Sequence, residues 1–180
     1  MIKDVSLIIP CQNADTKVHK LLRSIQSWEI MPNEIIVVDS SMNRLSIPKD
    51  IEAFTKKLNI KLLIFHEKNL YPGHARNIGI KNSTNTFLAF LDTSTEPTNK
   101  WLSSGLSLVT AQNSEGVWGS TFYQADTFTS KIFRACTFGA KPIKTIPGTI
   151  LNKSIFNICG LFIETTRAGE DGDWMSRAKL

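Results

Sequence analysis

Three short apolar runs, each ending at polar side chains, constrain the fold of this chain more than any other feature of its sequence. The runs are VSLIIP, EIIVVD and FLAFLD, and they end at or just before Cys11, Asp39 and Asp92. An apolar run of this length with polar boundaries is typical of a buried strand. In open α/β sheets, ligands bind at the carboxyl ends of such strands. The runs therefore predict three walls of one pocket with at least two carboxylates, which suits a metal, a ribose or a sugar better than a bare anion.

Helical patterns alternate with the strand-like runs along most of the chain. In residues 17–28, for example, Val18, Leu21 and Ile25 recur at helical spacing. This alternation predicts an α/β fold with a mostly parallel sheet. The predicted strands are 5–9, 34–39, 61–66, 86–91, 116–123 and 148–151, and the predicted helices are 17–28, 51–58, 72–80, 98–112 and 170–179, with a helical turn at 154–158. Residues 127–144 are ambiguous between helix and loop.

The length of the chain indicates one domain. With 180 residues it can bury a core of its own, so we expect a single domain over 1–180. Because the sequence stops inside a helical pattern, we expect that domain to be short or truncated at its C-terminal end. No apolar run is long enough to span a bilayer or to act as a secretory signal, which predicts a cytoplasmic protein. The three cysteines show no CxxC spacing and are expected to be reduced.

The net charge of +5 leaves several kinds of partner open. The positive residues are scattered and form no stripe with interleaved aromatic residues, so we expect no nucleic-acid partner. An anionic membrane surface stays open as a partner, and with it a peripheral location at the membrane.

Several cofactor and metal motifs are missing from the sequence. No GxGxxG follows the first apolar run, and GxxxxGK[ST], HExxH and paired CxxC do not occur. These absences argue against a dinucleotide-binding Rossmann domain, a P-loop and a zinc site of those kinds.

Six segments in order carry a resemblance to a known family. They are VSLIIPCQN, EIIVVDSS, ARNIGI, FLAFLDTST, PTNKWL and GEDGDWMSR, which together extend over residues 5–177. In this order they resemble family 2 glycosyltransferases of the GT-A fold, a Rossmann-like mixed sheet flanked by helices. The resemblance implies an inverting enzyme of cell-surface polysaccharide biosynthesis. It would move a sugar from a nucleotide-diphosphate donor, in particular a UDP-sugar, to a hydroxyl acceptor such as a glycan or a lipid-linked sugar.

The resemblance also implies roles for individual residues on the donor side. The nucleoside would be held by the end of the first strand and by the acidic residue that ends the second. Arg76, beside Asn77 in the ARN segment, would lie near the nucleotide and neutralise diphosphate charge. The implied nucleotide-sugar-binding residues are Pro10, Cys11, Asn13, Asp39, Arg76, Asp92, Thr93 and Ser94.

The D-x-D motif of the family aligns with Asp92, Thr93 and Ser94, and here the sequence departs from the family pattern. A divalent cation, Mn²⁺ or Mg²⁺, would be held at Asp92, but Ser94 stands where the second acidic ligand is usual. A hydroxyl is a poorer ligand than a carboxylate for a hard cation. Metal use and full activity are therefore both open, and Glu96 is a candidate substitute ligand.

The acidic segment GEDGDW supplies the expected catalytic base. By resemblance this base is Asp171, with Glu170 and Trp174 on the acceptor side. Helical phase separates Glu170 from Asp171 by about 100°, so we expect only one of them to face the pocket. Glu170 shares a face with Asp173 and Arg177, which predicts an ion pair there. Asp171 has no basic residue three or four positions away and is expected to be unpaired, and Trp174 could form an apolar wall beside it or a platform for a sugar ring.

Other interpretations of these residues stay open. Asp39 and Asp92 could simply cap the helices that follow their strands, and the acidic cluster before Trp174 could complement a helix dipole. A non-catalytic nucleotide-sugar-binding or interaction domain with a degenerate D-x-D motif is the first alternative function. A nucleotidyltransferase is the second, although the loop CQNADTK lacks the usual glycine-rich, basic character.

Overall fold

The computed structural model describes residues 2–137, 139 and 141–178. Its strands are β1 (Ile2–Cys11), β2 (Met31–Asp39), β3 (Lys61–His66), β4 (Phe87–Phe90), β5 (Gly116–Thr121) and β6 (Ile143–Asn152). Its helices are α1 (Asp15–Ser24), α2 (Lys49–Lys57), α3 (Pro72–Asn82), α4 (Trp101–Gln112), α5 (Phe128–Thr137), α6 (Ile155–Cys159) and α7 (Glu170–Ala178), with a 3-10 turn at Ile25–Ser27. None of these helices is long and apolar enough to cross a membrane.

The six strands form one sheet in the order β3-β2-β1-β4-β6-β5. Strands β1 to β4 pair in parallel, whereas β6 runs antiparallel to both β4 and β5. The predicted α/β fold with a mixed, mostly parallel sheet is therefore confirmed. Because β5 runs in the same direction as β4, the carboxyl ends of five strands meet at one edge of the sheet, which we call the site edge.

The core covers both faces of the sheet. In β1, Leu7 and Ile9 pack into the cluster under α1 and α2, whereas Ile8 packs into the cluster on the opposite face. All three side chains are fully buried. Successive side chains of a strand alternate between faces, so an apolar run such as VSLIIP is what a strand covered on both faces requires. Gly79 of α3 permits the close approach of this helix to β1, since an added Cβ would lie 2.5 Å from Ile8 Cγ2.

The predicted elements differ from the observed ones mainly at their ends. The ambiguous residues 127–144 contain α5 and the beginning of β6, which is longer than the predicted strand 148–151. Helix α4 begins at Trp101 rather than at residue 98, and the predicted helix 17–28 ends in the 3-10 turn. The predicted last helix extends to Lys179, which lies outside the described residues.

Candidate active site

The ends of β1, β2 and β3 bring three polar side chains together at the site edge. The parallel register pairs Cys11 with Asp39 and Asp39 with His66. Asp39 is fully buried, and both of its oxygens accept hydrogen bonds from backbone amides: from Ser41 at 3.0 Å and from Leu45 at 2.7 Å. His66 Nδ1 lies 2.9 Å from Asp39 Oδ2. Asp39 therefore fastens the loop that follows β2 to the ends of the neighbouring strands.

These contacts keep Asp39 ionised. Burial alone would raise the pKa of Asp39, but the hydrogen bonds from Ser41, Leu45 and His66 hold it below its usual value. The resemblance implied direct contact between this carboxylate and the nucleoside. In the structure the carboxylate has no exposed surface and lies beneath the edge, so its effect on a ligand would pass through residues 40–45. His66 was not singled out from the sequence, although its strand ends at the same edge as the other two.

The other predicted residues of the first strand differ in exposure. Cys11 is buried and its thiol lies 3.8 Å from Asp39 Oδ1; burial and the neighbouring carboxylate raise the pKa of Cys11 to about 12. This thiol is therefore protonated and unreactive at neutral pH. Pro10 is half-buried, whereas Asn13 is exposed. Asn13 has a left-handed backbone (φ 48°), and its amide donates to Ser41 Oγ at 2.7 Å, which joins the loops after β1 and β2.

A second group of predicted residues meets around the guanidinium of Arg76. Nη1 donates to Glu170 at 3.0 Å and to Asp171 at 2.8 Å, and Nη2 donates to Asp92 at 3.0 Å. The Arg76 side chain is 3% exposed, Glu170 is 7% exposed, and Asp171 and Asp92 are 33% and 39% exposed. We call these four residues the Arg76 cluster. It connects α3, the end of β4 and the first turn of α7.

The Arg76 cluster has more negative than positive charge. One guanidinium faces three carboxylates, and their attraction raises the pKa of Arg76 although burial opposes this, so Arg76 stays charged. Burial raises the pKa of Asp171 to about 6. Arg76 acts against this increase, whereas the negative charges of Glu170 and Asp92 add to it. Asp171 is therefore a partly accessible carboxylate that can take up a proton near neutral pH, as a general base must.

Close contacts between α3 and the segment before α7 position the Arg76 cluster. Asn77 is fully buried; its Nδ2 donates to the carbonyl of Phe162 at 2.8 Å, and its Oδ1 accepts from the amide of Phe162 at 3.0 Å. Gly73 lets the same segment approach, because an added Cβ would lie 2.3 Å from the carbonyl oxygen of Ile163. Asn77 thus holds protein backbone in this structure, although the resemblance implied a position near the nucleotide.

The structure corrects three expectations about α7. Glu170 and Asp171 both reach Arg76, so the argument that only one faces the pocket is wrong: two adjacent side chains of one helical turn converge on a single guanidinium. Asp171 is paired rather than free. Arg177 pairs with Asp173 at 2.7 Å, and Glu170 bonds to Arg76 instead.

Trp174 lies in the core and not on the acceptor side. Its ring is fully buried, stacks on Phe156 at a centroid distance of 4.7 Å, and donates its Nε1–H to the carbonyl of Gly160 at 2.8 Å. A sugar ring cannot stack on this face while Phe156 covers it. The physical reason is that the apolar face of α7 must be buried against α6 and β6, and Trp174 is its largest member.

The residues that follow Asp92 fit a divalent cation only in part. Ser94 is exposed, and Glu96 is engaged by Lys20 of α1 in an exposed ion pair. Within residues 2–137, 139 and 141–178, no three His, Cys, Asp or Glu side chains form a group that could hold a metal ion. Arg76 bonds to Glu170 and Asp171, and it bonds to Asp92 at Oδ1. Asp92 is thus a candidate cation ligand among the described residues at this edge, and a single carboxylate is sufficient only where a bound ligand supplies further oxygens.

Two clefts lie on opposite sides of this arrangement. One of about 480 Å³ adjoins the site edge, between α1 and residues 93–97, and has Lys17 and Lys20 in its wall. A larger one of about 720 Å³ adjoins Thr86 and Asn152, at the opposite edge of the sheet. The larger cleft is thus remote from the candidate catalytic groups, and we assign no role in the reaction to it.

Comparison with known proteins is consistent with this geometry. The family model described as "Glycosyl transferase family 2" matches residues 6–167. A protein of Haloferax volcanii named "Glycosyltransferase AglE" is 26% identical over 97% of this chain. The chain spans 60% of the length of that relative.

Solved structures share the fold. The crystal structure of Staphylococcus aureus TarS 1-349 in complex with UDP-GlcNAc superposes on 97% of this chain with a TM-score of 0.67 at 19% identity, and the match covers 52% of that chain. The mannosyltransferase PcManGT of Pyrobaculum calidifontis, in complex with GDP-Man and Mn²⁺, superposes on 97% of this chain with a TM-score of 0.63 at 14% identity, and the match covers 51% of that chain.

Proposed function

The chain belongs to glycosyl transferase family 2, and from this membership we propose that it transfers a sugar from a UDP-sugar to a hydroxyl acceptor with inversion. The observation that carries the proposal is the Arg76 cluster, in which Asp171 has a raised pKa and is about one third exposed at the edge of the sheet that also ends in Asp92. A carboxylate with these properties suits the removal of a proton from an attacking hydroxyl.

In the proposed reaction, the acceptor oxygen attacks the anomeric carbon of the donor while the bond from that carbon to the diphosphate oxygen breaks. The diphosphate leaves with the electron pair of that bond, and the hydroxyl proton passes to Asp171. A single displacement of this kind inverts the configuration at the anomeric carbon.

Arg76 has a different role in this proposal from the one implied by resemblance. Its guanidinium is buried and bonded to three carboxylates, so it is poorly placed to neutralise a diphosphate directly. We infer that Arg76 positions Asp171, Asp92 and Glu170, because each of the three accepts a charge-assisted bond from it.

A divalent cation is part of the proposal only through Asp92. Mg²⁺ is commonly bound through one or two carboxylates together with substrate phosphates, and Asp92 with the donor diphosphate would provide such a set. The cation, when bound, would neutralise charge on the departing diphosphate. The Mn²⁺ complex of the Pyrobaculum structure supports this part of the proposal by analogy.

The acceptor is proposed to be a glycan or a lipid-linked sugar of a cell-surface polymer. The relative TarS is named a poly(ribitol-phosphate) beta-N-acetylglucosaminyltransferase, and crystal structures of it contain UDP and UDP-GlcNAc. These names support a UDP-sugar donor and a surface polymer for this chain.

Thermal melting with nucleotides tests the proposal. UDP and UDP-GlcNAc, each with and without Mn²⁺, should raise the melting temperature by mass action, whereas GDP-Man should raise it less. Release of UDP from the donor, measured with and without candidate acceptors, then tests for catalysis. No shift with any nucleotide would contradict the proposal.

A melting shift without turnover would favour the second candidate, a nucleotide-sugar-binding domain without catalysis. The specific observation that favours this candidate is Ser94 in place of the second carboxylate of D-x-D. Asp171→Asn distinguishes the transferase from the binding domain further. In both cases it should bind UDP as wild type does, but if the wild type is a transferase this variant should lose turnover.

A further inference from the structure

Helix α5 exposes the apolar side chains that a helix of a globular protein normally buries. Phe128, Ile132, Ala135 and Cys136 lie at the i, i+4, i+7 and i+8 positions of one face. Phe128 is 79% exposed and Ile132 is 50% exposed, and none of the described side chains of α5 is buried. We call this face, with the exposed ring of Phe122 (52%) in the preceding segment, the α5 surface.

The α5 surface lies in a strongly basic part of the chain. Residues 127–163 contain no Asp or Glu, and they include Lys131, Arg134, Lys141 and Lys144. Lys131 and Lys141 are exposed, and the guanidinium of Arg134 lies 5.2 Å from the centroid of the Phe122 ring. Arg134 also donates to the carbonyl of Tyr123 at 3.2 Å, so it fastens α5 to the segment before it. Exposed lysines beside an apolar stripe are complementary to a partner whose outer layer is negatively charged and whose interior is apolar.

The topology connects the α5 surface to the candidate active site. Strand β5 ends at Thr121 and β6 begins at Ile143, and these two residues pair with each other. Since β5 runs in the direction of β4, the segment that contains α5 leaves and re-enters the sheet at the site edge, where Asp92 follows β4. A partner bound to α5 would therefore lie on the same side of the molecule as Asp92 and Asp171.

We propose that α5 docks this domain on the surface of an anionic lipid bilayer, with Phe128 and Ile132 inserted between the headgroups and Lys131 and Lys141 on the lipid phosphates. A short amphipathic helix with Phe128 and Ile132 on one face and basic residues beside it has the composition of an interfacial helix. A second copy of the chain is a poorer occupant, because two α5 surfaces would bring like charges together.

Docking of this kind suits an acceptor whose hydroxyl is carried on a lipid. This extension rests on the proposed transferase function. The docking itself does not rest on that function, because vesicle binding is measured without turnover. Failure of the docking proposal can therefore be distinguished from failure of the transferase proposal.

Co-sedimentation with vesicles tests the docking. The chain should bind vesicles of mixed phosphatidylglycerol and phosphatidylcholine, and bind vesicles of phosphatidylcholine alone much less. The combined variant Phe128→Asp with Ile132→Asp should reduce binding by about tenfold or more, because two apolar side chains that would be buried in the bilayer are replaced by charged ones. Ile158→Asp is the matched control, since Ile158 of α6 is 81% exposed and lies outside the α5 surface.

Charge reversal tests the electrostatic part of the proposal. Lys131→Glu with Lys141→Glu should weaken binding to the anionic vesicles and reduce its dependence on salt. Lys56→Glu with Lys57→Glu, on the exposed side of α2, should change binding less. Circular dichroism of each variant checks that the fold is intact.

Three outcomes would overturn the docking proposal. Absence of vesicle binding by a folded wild-type chain is one, and equal binding by wild type and the Phe128→Asp, Ile132→Asp variant is another. The third is a wild-type dimer in sedimentation analysis that this variant converts to a monomer, which would assign the α5 surface to a second copy.

Discussion

The carboxylate of Asp171 lies 2.8 Å from Nη1 of Arg76, a residue 95 positions earlier in the chain. The same nitrogen bonds to Glu170, and the second terminal nitrogen bonds to Asp92. One positive charge is thus divided among three carboxylates. This division explains why a paired carboxylate can still have a raised pKa, and it leads to measurable consequences for activity and for stability.

Turnover is expected to depend on the ionised form of Asp171. Because the pKa of Asp171 is raised to about 6, activity should fall as the pH decreases through about 6. Asp171→Asn keeps size and helix geometry but removes basicity, so it should reduce turnover on the order of 10²-fold or more and leave UDP affinity nearly unchanged. Steady-state rates across pH measure this. Asp173→Asn, in the same helix and paired with Arg177, is the control; a wild-type rate for Asp171→Asn would refute the assignment.

The contribution of Asp171 to the stability of the fold is expected to change with pH in the opposite direction to its contribution to activity. The pKa of Asp171 in the folded state is above its usual value, so the folded state holds this proton more tightly than the unfolded state does. The resulting stabilisation is present below the usual pKa of an aspartate and is lost as the pH rises through about 6. The difference in melting temperature, Asp171→Asn minus wild type, should therefore increase from acid to neutral pH. A difference that decreases over this range would contradict the raised pKa.

Removal of Arg76 is expected to destabilise the fold strongly. Arg76→Ala leaves the buried Glu170 without its cationic partner, and removal of one partner from a buried ion pair costs about 3–5 kcal/mol. Arg23→Ala is the matched control, because the pair of Arg23 with Asp50 is exposed and such pairs contribute about 0–1 kcal/mol. Urea denaturation of both variants measures the difference. Equal free energies of unfolding would show that the Arg76 cluster is not stabilising.

Asp39 is expected to contribute to the stability of the fold rather than to contact a ligand directly. Asp39→Ala removes the acceptor for the buried amides of Ser41 and Leu45, and a lost hydrogen bond to a charged group costs about 1.5–3 kcal/mol. Urea denaturation measures this loss, with Asp50→Ala at an exposed site as control. An unchanged free energy of unfolding together with weakened UDP binding would instead support the direct nucleoside contact that the resemblance implied.

Metal-dependent nucleotide binding is expected to respond to Ser94. Ser94→Asp adds a charged oxygen ligand next to Asp92 and should strengthen UDP binding in the presence of Mn²⁺ but not in its absence. Calorimetric titration with and without Mn²⁺ measures the change. Glu96→Ala should have little effect, because Glu96 is engaged by Lys20. If Glu96→Ala abolished Mn²⁺-dependent binding, Glu96 would be the second ligand.

The strand ends show which features of the candidate site the sequence pattern could predict. The apolar runs predicted the end of β2 at Asp39 and placed the ends of β1 and β4 within two residues of the observed ones. The parallel register then places Cys11 beside Asp39. His66 could have been found by the same argument, because β3 was predicted to end at that residue and pairs with Asp39. What the runs could not predict is exposure. The polar residue at the end of a strand can face a ligand or turn inward to bond a loop, and Asp39 turns inward.

The sequence by itself determined the alternation of strands and helices, the sheet type and the edge of the sheet at which the acidic residues lie, because these depend on local periodicity and on chain direction. Tertiary structure alone decided that Arg76 bonds to Asp92, Glu170 and Asp171, that Trp174 is buried, and that the apolar face of α5 is exposed. Helical phase fixes only the angle between two side chains of one helix, as with Glu170 and Asp171. Which partner fills that direction depends on how distant elements pack, and here the close approach of α3 at Gly73 and the bonds of Asn77 to Phe162 bring α7 onto Arg76.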